Sequence, residues 1–352
     1  MSPHSDHDHP ATHAHGAREE KRPLLLGTRR SKLAVAQATW AAHRVTEATG
    51  RPVRLVTLST EGDESDAPIE RFGSTGVFVT ALREALLAGK VDFVVHSFKD
   101  LPTAPEPELR LAAVPVREDP RDALAGPAGL PADFAGFPPG TRVGTGSPRR
   151  AAQILAVAPH VSVVPLRGNV DSRLARVSDG DLDAVVLAMA GLARLGRLAD
   201  VVAPLPPETL LPAPAQGALA LECRGADPAT AAALAAVNDP ETRRAVTAER
   251  AFLAGLDAGC TSPVAALAVR EGDGRTLRLD GMVATPDGST VLRRSLSAPV
   301  TRTEHARALG ERLARMLLDA GGGDLLAAQP PVDDPRRRPA QAPHQPTTPA
   351  LG

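Results

Sequence analysis

Four short clusters put ionisable or nucleophilic side chains where a strand or helix ends. The first, Val95-His96-Ser97-Phe98-Lys99-Asp100, follows an apolar strand and sets one of only four Lys beside a carboxylate that can act on a cationic intermediate. A solvated surface turn has the same pattern, so both readings stand. The second, Gly144-Thr145-Gly146-Ser147-Pro148-Arg149-Arg150, reads as a strand, a small-residue turn and a helix opened by Pro, which presents free backbone N–H groups to an anion. A plain capped helix start is the alternative. Two Arg in the first turn oppose the helix dipole, which favours an external anion. In the third, Leu166-Arg167-Gly168-Asn169-Val170-Asp171-Ser172-Arg173, Arg167 ends a strand and Arg173 lies in the first helical turns, so both can face one cleft. The fourth is Asp257-Ala258-Gly259-Cys260-Thr261-Ser262-Pro263. There Cys260 occupies a small-residue loop, accessible enough to be modified, whereas Cys223 ends an apolar strand and reads as a core thiol.

Other chemistries lack their motifs. The sequence has no H-E-x-x-H, C-x-x-C or G-x-S-x-G, and neither G-x-x-x-x-G-K-[ST] nor G-x-G-x-x-G. Zinc hydrolysis, dithiol redox, serine hydrolysis and nucleotide-loop binding are therefore unsupported, and no metal site is expected.

The clusters need elements to hold them. Leu24 to Thr28 reads as a strand stopping at a polar turn, with Ser31 capping a helix to about Ala48. Strands are expected at Val53 to Ser59 and Val91 to Val95, with a helix from about Val77 to Ala88 between them. A second unit has strands at Arg142 to Gly144, Val161 to Pro165 and Asp183 to Leu187, with helices at Arg149 to Val157 and Val170 to Ser178. This rhythm is that of parallel α/β units, in which ligands gather beyond the carboxyl ends of strands. A strand at Gly217 to Glu222 and a helix at Pro240 to Leu256 follow. Alternating runs at Val264 to Val269, Leu277 to Val283 and Thr290 to Leu296, then a helix at Thr303 to Leu318, read as a small α+β domain.

Composition bounds the rest. The chain has 352 residues, 40 Lys+Arg against 41 Asp+Glu and a formal net charge of -1, so neither nucleic acid nor an anionic membrane would attract it over long range. No apolar run is long enough to span a bilayer and no secretory signal is readable, which leads to the expectation of a cytoplasmic protein. Two Cys are too few for a disulfide framework. Residues 1–22, which carry His4, His7, His9, His13 and His15, read as a disordered leader, and residues 329–352 as a disordered tail.

Together these residues resemble the porphobilinogen deaminase (hydroxymethylbilane synthase) family. The matching segments are Gly27-Thr28-Arg29-Arg30-Ser31, Val95 to Pro102, Glu118 to Asp122, Gly144 to Ser147 with Arg149-Arg150, Leu166 to Asn169, Gln216-Gly217 with Glu222-Cys223-Arg224, and Gly259-Cys260. They run in the family's order across about residues 24 to 327. The resemblance implies two periplasmic-binding-protein-like α/β domains around a cleft, plus a small α+β C-terminal domain. Domain one would be residues 23–120 completed by about 216–236, domain two 121–215, and domain three 237–328, carrying the cofactor Cys. It implies a transferase that joins porphobilinogen units with loss of ammonia into linear hydroxymethylbilane, for tetrapyrrole biosynthesis. It also implies a dipyrromethane cofactor attached covalently through Cys260.

By the same resemblance Asp100 is the catalytic carboxylate. Ser31, Ser97, Lys99, Thr145, Ser147, Arg149, Arg150 and Arg173 contact the cofactor, and Arg29, Arg167, Arg173 and Arg194 the substrate. The expected partner is the small molecule porphobilinogen, with no nucleic acid, no membrane and a monomeric state. Three positions depart from the family pattern: Thr75 replaces a frequent Lys, Ala215 a Gly and Gly146 a Ser. The loop 61–75 reads as a mobile lid. The competing reading is a non-catalytic two-lobed binding protein for a polycarboxylate, which would carry no covalent group on Cys260.

Overall fold

A computed structural model describes residues 22–58, 77–259, 261–272 and 274–327. The leader up to residue 21, the loop 61–75 with Thr75, Cys260 and the tail from residue 328 lie outside the described residues.

The chain opens with β1 (Leu24–Thr28), whose apolar side chains are almost wholly buried. Ser31 stops it and starts α1 (Lys32–Thr49): its hydroxyl accepts from Ala34 N at 3.3 Å, and Gly50 closes the helix in the left-handed conformation. Next come β2 (Val53–Thr57), α2 (Val77–Leu87) and β3 (Phe93–Ser97). β1 pairs in parallel with both β2 and β3. The strand expected at Val91 to Val95 thus sits two residues later. His96 and Ser97 are strand residues, and only Phe98–Asp100 form the turn beyond it, a single 3-10 turn.

After β4 (Leu109–Ala113) the chain crosses to a second lobe: β5 (Asp122–Ala125), β6 (Arg142–Thr145), α3 (Pro148–Val157), β7 (Ser162–Pro165), α4 (Val170–Ser178), β8 (Ala184–Ala188), α5 (Met189–Arg194) and β9 (Val201–Leu205). It crosses back into β10 (Leu219–Arg224) and α6 (Pro228–Ala235). The sheets have matching orders, β2-β1-β3-β10-β4 and β7-β6-β8-β5-β9. In each, the fourth strand is antiparallel to both neighbours and is supplied just after a crossing. β4, β5 and β9 escaped the sequence reading. β5 is four residues buried on both faces, and so has no polar alternation to announce it.

The third unit packs α7 (Pro240–Gly255) and α8 (Thr303–Asp319) on the antiparallel sheet β11 (Val264–Arg270), β12 (Thr276–Ala284) and β13 (Val291–Pro299), with α9 (Gly322–Ala327) closing it. Phe252, Leu279, Leu309 and Leu313 fill its core. The architecture is therefore two α/β lobes with matching five-stranded sheets and a small α+β domain. Among the described residues no helix is long and apolar enough to cross a membrane.

The two crossings are tied to the third unit by Glu249 of α7. This fully buried carboxylate accepts from Arg117 Nη1 at 2.6 Å and Nη2 at 3.0 Å on the first crossing, and from Ala215 N at 2.6 Å on the second. Ala268 N of β11 donates to it at 2.8 Å. Four donors compensate a buried charge that would otherwise be very costly. The crossings also touch each other. Gly217 has φ 87°, and a Cβ there would lie 2.5 Å from Glu118 O, so only Gly fits.

Ala215 has φ 62°, which explains why Gly is the family habit at this position. The left-handed conformation costs an L-residue about 1–2 kcal/mol. Against this, its methyl is buried among Phe98, Leu101 and Val114. Burying the methyl contributes about 0.8 kcal/mol, and the lower unfolded-state entropy of Ala about 0.4–1 kcal/mol more. Since these effects nearly cancel, Ala215→Gly should move unfolding stability by less than about 1 kcal/mol, measured as the urea midpoint at constant slope.

Candidate active site

Beyond the carboxyl ends of β3 and β6 lies a cavity of about 240 Å³ between the lobes. The first lobe contributes Lys99 and Asp100, and the second Gly146, Ser147, Arg149, Arg150 and Arg173. Gln216 of the second crossing and Gly259, Ser262 and Val264 of the third unit complete the wall. A smaller cavity of about 110 Å³ adjoins it, with Arg29, Gln37, Leu82, His96 and Ser97 in its lining. Asp100 lines both.

Asp100 is exposed on its 3-10 turn, and the turn is held from behind. Arg250 of α7 lies 4.5 Å from the centre of the Phe98 ring and donates to Leu101 O at 2.9 Å. Burial lowers the Arg250 guanidinium to about 10, still charged at neutral pH. β3 is fixed by a second cluster. Glu222 of β10 accepts from Arg83 Nε at 3.0 Å and Nη2 at 2.8 Å, with His96 Nε2 3.2 Å away. Burial alone would raise the Glu222 carboxyl; the adjacent His96 and the two Arg83 hydrogen bonds overcome this and hold it at about 2. A depressed carboxylate stabilises the fold above its unfolded pKa near 4.3, and that stability is lost as pH falls through the folded value. Urea midpoints should therefore drop between about pH 4.5 and 2, and Glu222→Gln should flatten that drop.

The second-lobe wall is built on Asp122, a fully buried residue of β5. Its Oδ1 accepts from Arg150 Nη2 at 2.6 Å and Nε at 3.0 Å, and Arg149 Nη1 lies 2.8 Å from Oδ2. Burial would raise this carboxyl, but the two guanidiniums hold it far below the usual range. The anion anticipated for the Arg pair is thus in part internal. Both Arg still line the cavity, and the buried Nε of Arg149 has no acceptor among the described residues. Arg149 and Arg173 have lowered pKa values, chiefly from burial. For Lys99, burial pushes the ammonium down to about 8 against the pull of Asp100; Arg150 and Arg149 add to the lowering and Asp122 opposes it. Among the described residues lining the larger cavity, four cations thus face Asp100 and the Asp122 behind them. An orphaned donor and surplus positive charge suit a ligand bearing several carboxylates.

The other sequence-derived residues divide. Arg29 and Ser97 line the smaller cavity, where Gln37 Nε2 donates to Ser97 Oγ at 2.8 Å. Ser147 caps α3, with Arg150 N 3.5 Å from its hydroxyl. Thr145 is buried and lines neither cavity; its Oγ1 accepts from Ser147 N at 3.2 Å. Ser31 likewise serves as the cap of α1 and lines neither. Arg167 is exposed and also outside both linings. Arg194 donates to Gly217 O at 2.7 Å, and burial lowers its pKa. Cys260 is not among the described residues, but Gly259 and Ser262 on either side reach the larger cavity. Cys223 is a core thiol, fully buried and raised in pKa mainly by that burial. A Cβ at Gly146 would lie 2.3 Å from Leu166 O, so a Ser there would need the backbone to shift.

Sequence reasoning missed Asp122, Gln216 and Gln37. Asp122 had a signal: two adjacent Arg on a helix inside an apolar domain need a buried counter-charge, and Pro120-Arg121-Asp122 is a short acidic candidate. Gln37 carries no such mark, and Gln216 only its place in a segment matching the family.

Comparison with known proteins agrees with this chemistry. Residues 24–232 match the family model described as porphobilinogen deaminase, dipyromethane cofactor binding domain, and residues 243–319 match its C-terminal domain. Porphobilinogen deaminase 1 of Streptomyces avermitilis is 55% identical over 314 residues, covering 86% of this chain and 97% of that one. The porphobilinogen deaminase of Nocardia farcinica is 52% identical over 88% of this chain and 90% of its own. That of Mycobacterium tuberculosis is 53% identical over 86% and 98%. With both family models matched in order and relatives more than half identical over nearly their whole length, this chain belongs to the porphobilinogen deaminase family.

Proposed function

We propose that the chain joins four porphobilinogen molecules head to tail, releasing one ammonia at each step, and delivers hydroxymethylbilane. The observation that carries this reading is the position of Asp100, a carboxylate shared by two adjoining cavities, one of them ringed by cations. A dipyrromethane held as a thioether on Cys260 would supply the primer for chain growth. Lys99, Ser97, Ser147, Arg149, Arg150 and Arg173 would hold its acetate and propionate groups. Ser31 and Thr145 join them on the family pattern, beside their cap and turn bonds. Arg29, Arg167, Arg173 and Arg194 receive the carboxylates of incoming and growing substrate.

Loss of ammonia from porphobilinogen leaves a cationic azafulvene, and pyrrole attack on it creates a second cation that must lose its α-proton. A fixed carboxylate beside both charges stabilises them and accepts the proton, so Asp100 combines electrostatic and general-base roles. Cations along the walls neutralise the acids of each added ring, which keeps a polyanion bound while its reactive end stays at Asp100. We assign residues 23–120 with about 216–236, 121–215 and 237–328 to three domains, and expect a cytoplasmic monomer.

The test is the intact mass of protein expressed where porphobilinogen is available. A covalent increment of two substrate-derived pyrrole units supports the enzyme. A bare polypeptide mass, allowing for the initiator Met, would instead favour a non-catalytic polycarboxylate binder.

A further inference from the structure

Gln216 is fully buried in the second crossing, and its amide joins the two lobes. Oε1 accepts from Lys99 Nζ at 3.1 Å. Nε2 donates to Asp122 Oδ1 at 2.8 Å and to Pro120 O at 2.9 Å. These partners dictate the amide orientation: the flipped form would aim N–H groups at an ammonium and a carbonyl at a carboxylate. The residue's backbone is held too, since its carbonyl accepts from Arg117 Nε at 2.7 Å. A continuous link therefore runs from Lys99 on the first-lobe wall through Gln216 to Asp122, which holds Arg149 and Arg150 on the second.

We propose that Gln216 is a positioning residue: it fixes Lys99 Nζ relative to the Arg149–Arg150 pair, so that cations from both lobes meet the pyrrole carboxylates at one set spacing. Lys is a point charge on a flexible stem, and a neutral acceptor that holds it before the ligand arrives reduces the ordering cost of binding. The same carbonyl favours the protonated amine, whereas burial disfavours it. The charged groups acting on Lys99 are Asp100 on its own turn, Asp122 on β5, and Arg149 and Arg150 on α3, and substituting Gln216 removes none of them. The inference rests on the function proposed above.

Two variants test it. Gln216→Leu keeps the bulk and loses every side-chain hydrogen bond; Gln216→Asn keeps an amide one methylene too short to reach both lobes. The readout is independent of turnover: acetylation of Lys99 by acetic anhydride against pH, followed by peptide mass spectrometry in the Cys260→Ser background. With Gln216 the midpoint should lie near about 8, and in either variant it should fall by about half a unit or more. An unmoved Lys99 midpoint in both variants would overturn the proposal even if the melting temperature dropped. Should the Leu variant not fold, the Asn variant is read by the same criteria. A wild type that makes no hydroxymethylbilane would sink the functional reading, while the Lys99 titration would still decide the positioning role.

Discussion

Cys260→Ser leaves a folded protein with the mass of the bare polypeptide and turnover at background. The thiolate is the competent nucleophile near neutral pH, and a serine hydroxyl with no base to activate it does not replace it. Folding should survive because the loop is undemanding: a Cβ built on the neighbouring Gly259 meets nothing within 4 Å. Cys223→Ser is the control. That thiol is fully buried in the first-lobe core beside Phe93 and Leu221, so its replacement should lower stability yet keep the covalent increment. Ordinary turnover in Cys260→Ser, or an increment that disappears with Cys223 instead, would remove Cys260 from its role.

Asp100→Ala should keep the increment and lose about 10²–10⁴ in kcat, the range associated with a positioned acid–base group. At 1.36 kcal/mol per tenfold, that is about 3–5 kcal/mol of transition-state stabilisation. Stability should barely change, because Asp100 is exposed and its turn is held by Arg250 rather than by its own carboxylate. Asp100→Asn separates charge from shape: if the role is charge, it should lose nearly as much as Ala. A kcat within a factor of about three of wild type in both variants would exclude the carboxylate from the chemistry.

The contrast between Asp100 and Asp122 shows how far the residues alone could be read. Asp100 follows an apolar strand and stands next to a rare Lys, so local order marks it as a candidate. Asp122 is marked only indirectly, by the counter-charge that a distant Arg pair needs. It matters because β5 has crossed into the second sheet and brought its carboxylate under α3, where Arg149 and Arg150 need it. For the Arg pair, helix-dipole reasoning pointed to an external anion, whereas the carboxylate that both Arg meet is Asp122 of the chain itself. Ser31 and Thr145, which the family resemblance names as ligand contacts, cap a helix and brace a turn in the fold.

What the sequence by itself determined is local and ordered: the alternation of strands and helices, a reactive-looking loop thiol, a carboxylate at a strand end and the ordered motifs of a family. These depend on short-range periodicity and spacing, which survive in a linear string. Tertiary structure alone decided that the second sheet also takes its fourth strand just after a crossing, that Glu249 clamps the two crossings, and that Gln216 connects cations of opposite lobes. Such pairings join residues tens of positions apart, and their energies depend on burial and on hydrogen-bond geometry, which exist only once the chain has closed on itself.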